Sequence, residues 1–270
     1  MSDSMNVFDR PLVRQRRDRC AQRFADYDFL VREAADRLLD RLEDMTTTFP
    51  TALDLGCHTG QIAESLMGRG GIETLIQCDL SPAMAGKAAL NGCPALAVDE
   101  EWLPFADGSF DLVLSCLSLH WVNDLPGTLH QIRRILKPEG LFLGIMLGGE
   151  TLQSLRMALA MAETELEGGI SPRVSPFADV RDMGQLLQRA GFALPVADGD
   201  RIEVRYAEPW KLLDDLRGMG ETNAVHQRRK TPLRRTTLMT ALANLAQDEV
   251  GQDGRFPAVF DLIGMTGWAS

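Results

Sequence analysis

Leu53-Asp54-Leu55-Gly56-Cys57-His58-Thr59-Gly60 is a short apolar run closed by a glycine-containing turn, and Gln61-Ile62-Ala63 follows at once with a helical pattern. The stretch reads as a β-strand, a tight turn and the start of a helix. Glycine in such a turn reaches backbone angles closed to other residues and lets a ligand approach the main chain. The helix start behind it offers free N–H groups to an anionic or polar group. The carboxyl end of this strand is therefore the first place to look for a binding site.

Outward from it the same alternation recurs. Apolar runs at 52–55, 74–78, 95–98, 110–115 and 141–147, with helical patterns between them, predict a parallel α/β sheet. A helix over 61–67 follows the first strand, and Ser81-Pro82 gives the next helix a capping residue and a helix-start proline. An amphipathic helix over 125–136 is stopped by Lys137-Pro138-Glu139-Gly140, a turn signal. Ahead of this block, 11–44 reads as one or two amphipathic helices. After it, helices at 151–167, 179–190, 209–219 and 233–247 interleave with strands at 192–196, 202–206 and 257–266. The expected organisation is an N-terminal helical segment over 1–50 capping the cleft and a Rossmann-like, ligand-binding core over 51–150. A C-terminal part over 151–270 then faces the substrate or partner and completes the sheet.

With 270 residues the chain has room for one large α/β domain with an appended subdomain, or for two small domains. Its formal net charge of −10 argues against broad electrostatic capture of nucleic acid, which needs a positive footprint. Local basic runs at Arg14, Arg16, Arg17, Arg19 and Arg23, and at Arg228, Arg229, Lys230, Arg234 and Arg235, read as solvated helix faces. The five cysteines (Cys20, Cys57, Cys78, Cys93 and Cys116) are odd in number and contain no C-x-x-C pair, so a disulfide framework or a cysteine zinc site is not expected. No apolar run approaches the ~20 residues of a membrane span. Asp3, Asp9 and Asp18 interrupt the N-terminal arginines and no apolar core follows them, so neither a secretory signal nor a transit peptide is expected. The expected location is cytoplasmic, without direct membrane insertion.

Open α/β sheets bind ligands beyond the carboxyl ends of their strands. Asp54, Asp79 and Asp99 fall at three such ends. Taken singly, a strand-end Asp is as readily a helix cap. Taken together they suit a nucleoside ligand. Asp79 comes one strand–helix–strand unit after Asp54, where a carboxylate accepts hydrogen bonds from ribose hydroxyls. Asp99 and Glu100 would stand beside the base, accepting from an exocyclic amine, and Asp54 would hold a ligand ammonium. Leu80 and Ser115, beside the second and fourth strand ends, complete the candidate cofactor set with Gly56, His58 and Gly60.

The first motif, Asp79, the Asp99 region, Leu103-Pro104-Phe105, Ser109-Phe110-Asp111-Leu112-Val113 and Leu136-Lys137-Pro138-Glu139-Gly140 resemble, in type, order and spacing, the small-molecule branch of class I S-adenosylmethionine-dependent methyltransferases. The G-x-G-x-x-G of nicotinamide dehydrogenases is absent. The resemblance implies an α/β fold, a Rossmann-like seven-stranded class I methyltransferase sheet with N-terminal helices and a helical C-terminal insertion. It also implies S-adenosyl-L-methionine as cofactor, whose sulfonium and ammonium suit an acidic crevice. One position departs from the family motif Asp-x-Gly-x-Gly-x-Gly: its middle glycine is His58. Two readings of His58 are open. The imidazole points to solvent or caps the helix, or it intrudes on the methionine end of the cofactor and adds a titratable group there.

Ser118-Leu119-His120-Trp121-Val122-Asn123-Asp124-Leu125 resembles the corresponding segment of the malonyl-carrier-protein methyltransferase of biotin synthesis and of trans-aconitate methyltransferase. It supplies the candidate catalytic residues His120, Trp121 and Asp124; alternatively His120 and Trp121 form an apolar wall over the cofactor. A likeness along the whole chain is to the methyltransferase-like assembly factors of respiratory complex I. It is carried by Met5-Asn6-Val7-Phe8-Asp9-Arg10, Asp99-Glu100-Glu101-Trp102-Leu103-Pro104-Phe105 and Gly148-Gly149-Glu150-Thr151-Leu152. It continues through Ala162-Glu163-Thr164-Glu165, Glu167-Gly168-Gly169, Ser171-Pro172-Arg173-Val174-Ser175-Pro176-Phe177, Gly218-Met219-Gly220-Glu221-Thr222-Asn223 and Ile263-Gly264-Met265-Thr266-Gly267-Trp268.

That resemblance implies hydroxylation of an arginine in an iron–sulfur subunit of NADH dehydrogenase, with that subunit as partner. The residues themselves do not supply the chemistry: the four histidines (His58, His120, His130 and His226) include no His-x-Asp or His-x-Glu for a facial iron site, and no metal is expected. Two other readings stand beside it. One is an O-methyltransferase on a small carboxylate or carrier-protein thioester, with Arg173 or Arg201 engaging the carboxylate. The other is a non-catalytic, cofactor-binding assembly chaperone.

Overall fold

The computed structural model describes residues 6–43, 45–247 and 254–270; Asp3, Met5 and Asp44, which figure in the segments above, lie outside the described residues. Seven strands form one sheet: β1 (Thr51–Leu55), β2 (Thr74–Asp79), β3 (Ala95–Ala97), β4 (Phe110–Cys116), β5 (Leu136–Leu147), β6 (Ala193–Tyr206) and β7 (Phe256–Trp268). Their order is β3-β2-β1-β4-β5-β7-β6. The first five are mutually parallel, and β7 runs antiparallel to both β5 and β6. The seven-stranded methyltransferase-type sheet read from the sequence is the sheet observed. The order in which successive strands are laid down reverses between β1 and β4, which stay parallel, and such a switch point opens a crevice at the strands' carboxyl ends.

Period-two patterning explains how the sheet is covered. Ala52, Leu112, Leu114, Leu141 and Leu143 face one layer, with α2 (Phe29–Glu43), α6 (Gln153–Glu167), α8 (Pro209–Gly218) and α9 (Arg235–Gln247). Leu53, Leu55, Val113 and Phe142 face the other, with α5 (Leu125–Ile135) and α7 (Val180–Arg189). Both faces of β1 and β4 are thus apolar and buried, as a parallel sheet requires. A smaller cluster of Phe8, Val13, Leu80, Trp121 and Ala224 pins α1 (Arg10–Cys20) against the crevice mouth. The Asp9 side chain caps α1, accepting from Leu12 N at 3.1 Å, and Asp9 N donates to Ala224 O at 2.8 Å. Among the described residues the remaining α-helices are α3 (Gln61–Ser65) and α4 (Pro82–Ala88), the latter capped by Ser81.

Two expectations change. Lys137-Pro138-Glu139-Gly140 does not separate helix from strand, because β5 begins at Leu136 and the four residues form a bulge inside it. Leu136 pairs with Phe110 and Leu141 with Leu112, Glu139 takes a left-handed φ of 63°, and Glu139 N and Gly140 O bond to Ala269. Likewise, the strands expected at 192–196 and 202–206 are one strand, β6. The intervening Asp198-Gly199-Asp200 looks like a turn, yet Arg41 of α2 grips Asp198 at 2.6 and 2.8 Å and Arg37 takes Asp200 at 2.5 Å. Gly264 of β7 makes room for this, since a Cβ there would overlap the Arg41 guanidinium and the Asp198 carboxylate.

Candidate functional site

The turn after β1 is shaped by what it must leave open. Gly56 and Gly60 have φ of 83° and 100°, and Gly56 N and Cys57 N both bond to Cys78 O at 2.7 and 2.8 Å, locking the turn to β2. A Cβ on Gly56 would overlap the Ser118 side chain, so only glycine fits. Gly60 is the residue preceding α3. Asp54, beneath the turn, is fully buried and neither carboxylate oxygen has a hydrogen-bond partner among the described residues. Burial, and then the charge of Asp79, push its pKa well above the usual carboxylate range.

His58 points inward. Its ring is buried, stacks on Phe24 (5.5 Å between centroids, 7° between planes) and places Nε2 3.0 Å from Cys116 O. A carbonyl only accepts, so Nε2 carries the proton and Nδ1 is left as a bare acceptor with no partner. Burial, and then the neighbouring Arg17 cation, lower its pKa and keep the ring neutral at pH 7. Of the two readings of His58, the solvent-facing one fails.

Asp79 accepts from His58 N (3.1 Å), Ser81 N (2.7 Å) and Arg17 Nη1 (3.2 Å). Glu100 is fully buried, accepts from Ser118 Oγ at 2.6 Å and is bonded by Arg10, with Arg17 Nη1 3.6 Å away. Burial alone would raise its pKa; Arg10 and Arg17 outweigh it and hold Glu100 down to about 2. Asp99 accepts from Arg10 at 2.6 Å. The carboxylates expected to hold a nucleoside are therefore brought together and engaged by two guanidiniums from α1.

Sequence reasoning missed this role. Arg17 belonged to a run read as solvated, and Arg10 was not singled out for a site. The available signal was the Arg10–Val13–Arg17 spacing, which lays all three on the buried face of α1. The rest of this run and the second run are not simply solvated either. Arg16, Arg19 and Arg23 line, with Arg217, a surface recess of about 560 Å³, and Arg228 and Arg229 pair with Asp9 and Glu167.

At the crevice mouth, His120 Nε2 lies 3.1 Å from Glu221 Oε2, and Trp121 Nε1 donates to the same carboxylate at 3.0 Å. In the sequence Glu221 stands out only through the resemblance that Gly218-Met219-Gly220-Glu221-Thr222-Asn223 carries. Nothing local marks it, since a long loop after α8 delivers it. Asp124 is not brought to this cluster; it is exposed and caps α5, accepting from Gly127 N at 2.9 Å. Leu80 packs in the Phe8–Trp121 cluster, and Ser115 Oγ donates to Leu55 O at 2.7 Å, tying β4 to β1. Beyond Trp121 and Glu221 opens a cavity of about 260 Å³, walled by Leu152, Leu155, Leu159, Val174, Phe177 and Phe260. Among the described residues no group of three His, Cys, Asp or Glu side chains is arranged to hold a metal ion.

The donor set fits S-adenosylmethionine in kind. An orphaned, buried carboxylate at Asp54 asks for a cation, and Asp79 and Glu100 are acceptors suited to hydroxyls and an amine. A ligand group at either of the last two positions would have to exchange with Arg17 or Arg10, which hold those carboxylates here.

Fold and crevice together define a methyltransferase-superfamily protein. Residues 53–144 match the family described as Methyltransferase domain. Among solved structures, the YcgJ protein from Bacillus is similar in fold (TM-score 0.60, 16% identity, 87% of this chain and 97% of that one). So is a putative methyltransferase of Haloferax volcanii solved with its Trm112 activator (TM-score 0.60, 20% identity, 95% and 97%). Within that superfamily the chain belongs to the family of the mitochondrial arginine-hydroxylase NDUFAF5. It is 44% identical to the Danio rerio protein over 98% of this chain and 83% of that one, and 44% identical to the Homo sapiens protein over 98% and 77%. It is also 36% identical to a malonyl-[acyl-carrier protein] O-methyltransferase of Halorhodospira halophila, over 96% and 88%.

Proposed function

We propose that this protein binds S-adenosyl-L-methionine in the crevice and hydroxylates an arginine side chain of an iron–sulfur subunit of respiratory complex I during assembly. Asp54, Gly56, His58, Gly60, Asp79, Leu80, Asp99, Glu100 and Ser115 form the cofactor side, and His120 and Trp121 form the substrate side. Residues 1–50 act as the cap, 51–150 as the cofactor core and 151–270 as the substrate-facing part. The target is met in the cytoplasm, at the membrane-associated complex; no helix among the described residues is long and apolar enough to cross a membrane. Hydroxylation inserts one oxygen atom into a C–H bond. The residues here bind and position, while an external oxidant supplies the oxygen.

One observation carries this reading. Segments outside the generic core that resemble the complex I factors reach the cavity together: Thr151 and Leu152, then Arg173, Val174, Ser175 and Phe177, then Glu221, Thr222 and Asn223. The O-methyltransferase reading finds less support in the side chains. Arg173 is held by the buried Glu163 at 2.5 Å, Arg201 is exposed and paired with Glu150, and Glu221 would repel a carboxylate.

Deleting the gene and mapping complex I peptides by mass tests the proposal. The expected result is an arginine heavier by one oxygen atom in wild type and unmodified in the deletion. Biotin auxotrophy of the deletion would favour the O-methyltransferase. Loss of complex I with the arginine unmodified in both strains would leave a chaperone.

A further inference from the structure

The 260 Å³ cavity has apolar walls and, at its crevice end, a single carboxylate, Glu221. Glu221 is not sealed in: its side chain keeps 12% of its exposure, although His120 and Trp121 are buried. Those two neighbours point one donor each at it, Nε2 and Nε1, and so fix its orientation. A carboxylate offers about four acceptor sites, so these contacts leave part of Glu221 unspent. Of the two cations lining the cavity, Arg173 is neutralised by Glu163, which is fully buried. Arg217 is exposed on α8 and makes no ion pair among the described residues.

We infer that Glu221 receives a guanidinium at the end of this cavity, which makes the cavity a binding site for a long side chain with an apolar stem and a cationic, forked tip. The inference deepens the proposed function and rests on it. A guanidinium desolvated among Leu155, Leu159 and Phe177 is costly unless a carboxylate takes it in good geometry. The planar fork of arginine matches a carboxylate in two parallel hydrogen bonds, which a lysine ammonium does not. His120, which does not line the cavity, acts through Glu221 as a positioning residue, while Trp121 both lines the cavity and holds the carboxylate's plane.

Calorimetry with butylguanidinium, its uncharged isostere butylurea and butanoate tests this on the full-length protein. The wild type is expected to bind butylguanidinium and to discriminate against both others. Glu221→Gln loses about tenfold or more in affinity for butylguanidinium, the worth of a hydrogen bond to a charged group, and binds butylurea no more weakly than before. Glu221→Asp, which keeps the charge, recovers part of the discrimination. His120→Gln is expected to shrink the guanidinium-to-urea ratio, which a merely structural role would not move. Equal binding of butylguanidinium and butylurea by the wild type, or preference for butanoate, overturns the inference without any variant. So does undiminished butylguanidinium binding in Glu221→Gln. Should Glu221-dependent binding hold while deletion leaves arginine masses unchanged, the pocket stands and the hydroxylation reading falls. Arginine still gaining oxygen in a Glu221→Gln strain would sink the inference and spare that reading.

Discussion

Asp54 is a fully buried carboxylate whose two oxygens meet no donor among the described residues, a position that costs stability unless something cationic arrives. Its pKa is raised by burial and by Asp79, and the sign follows. A carboxyl whose folded pKa exceeds the unfolded value (about 3.9) imposes no cost below that value. Its penalty grows as pH rises through the folded pKa. Asp54→Asn is therefore expected to melt at or above the wild-type temperature at pH 7.5, with the gap closing toward pH 4. Thermal melts across that range check it; a variant less stable than wild type at pH 7.5 refutes the reading. The strand-end acids were legible in the sequence because strand, turn and helix are written in consecutive residues. The direction of His58 was not, because its partners, Phe24 and Cys116, come from distant segments.

The elements were read well wherever period and caps agreed, as at Ser81-Pro82. They were misread where tertiary partners override local signals. Arg41 and Arg37 of α2 turn an Asp-Gly-Asp into mid-strand residues, and Ala269 recruits Glu139 and Gly140 into β5. Helix α1 shows the same effect at the site. Its sequence gives a basic helix, yet its Arg17 is 2% exposed and bridges Asp79, Glu100 and Ser118. Removing one partner of a buried ion pair typically costs about 3–5 kcal/mol, so Arg17→Ala is expected to lose stability on that scale. S-adenosylmethionine should then raise the melting temperature of Arg17→Ala more than that of wild type, because the ligand no longer displaces a guanidinium. Melts with and without ligand decide; an equal ligand shift in both proteins contradicts α1 as a competitor for the crevice.

On the scale of the whole molecule, the α/β sheet and the family were legible, since the alternation of strand and helix follows from local pattern and the C-terminal segments carry the likeness. Glu221 and the cavity were not, because residues 151–223 reach them only through the folded chain. A net charge of −10 agrees with a target that presents an arginine, through long-range attraction. The account turns on the crevice being a cofactor site in which Asp54 meets the ligand's cation. Titrating the purified protein with S-adenosyl-L-methionine in a calorimeter tests this most directly. One-to-one binding by the wild type, weakened about tenfold or more in Asp54→Asn, is the predicted result; no binding by the wild type, or unchanged affinity in Asp54→Asn, would contradict it.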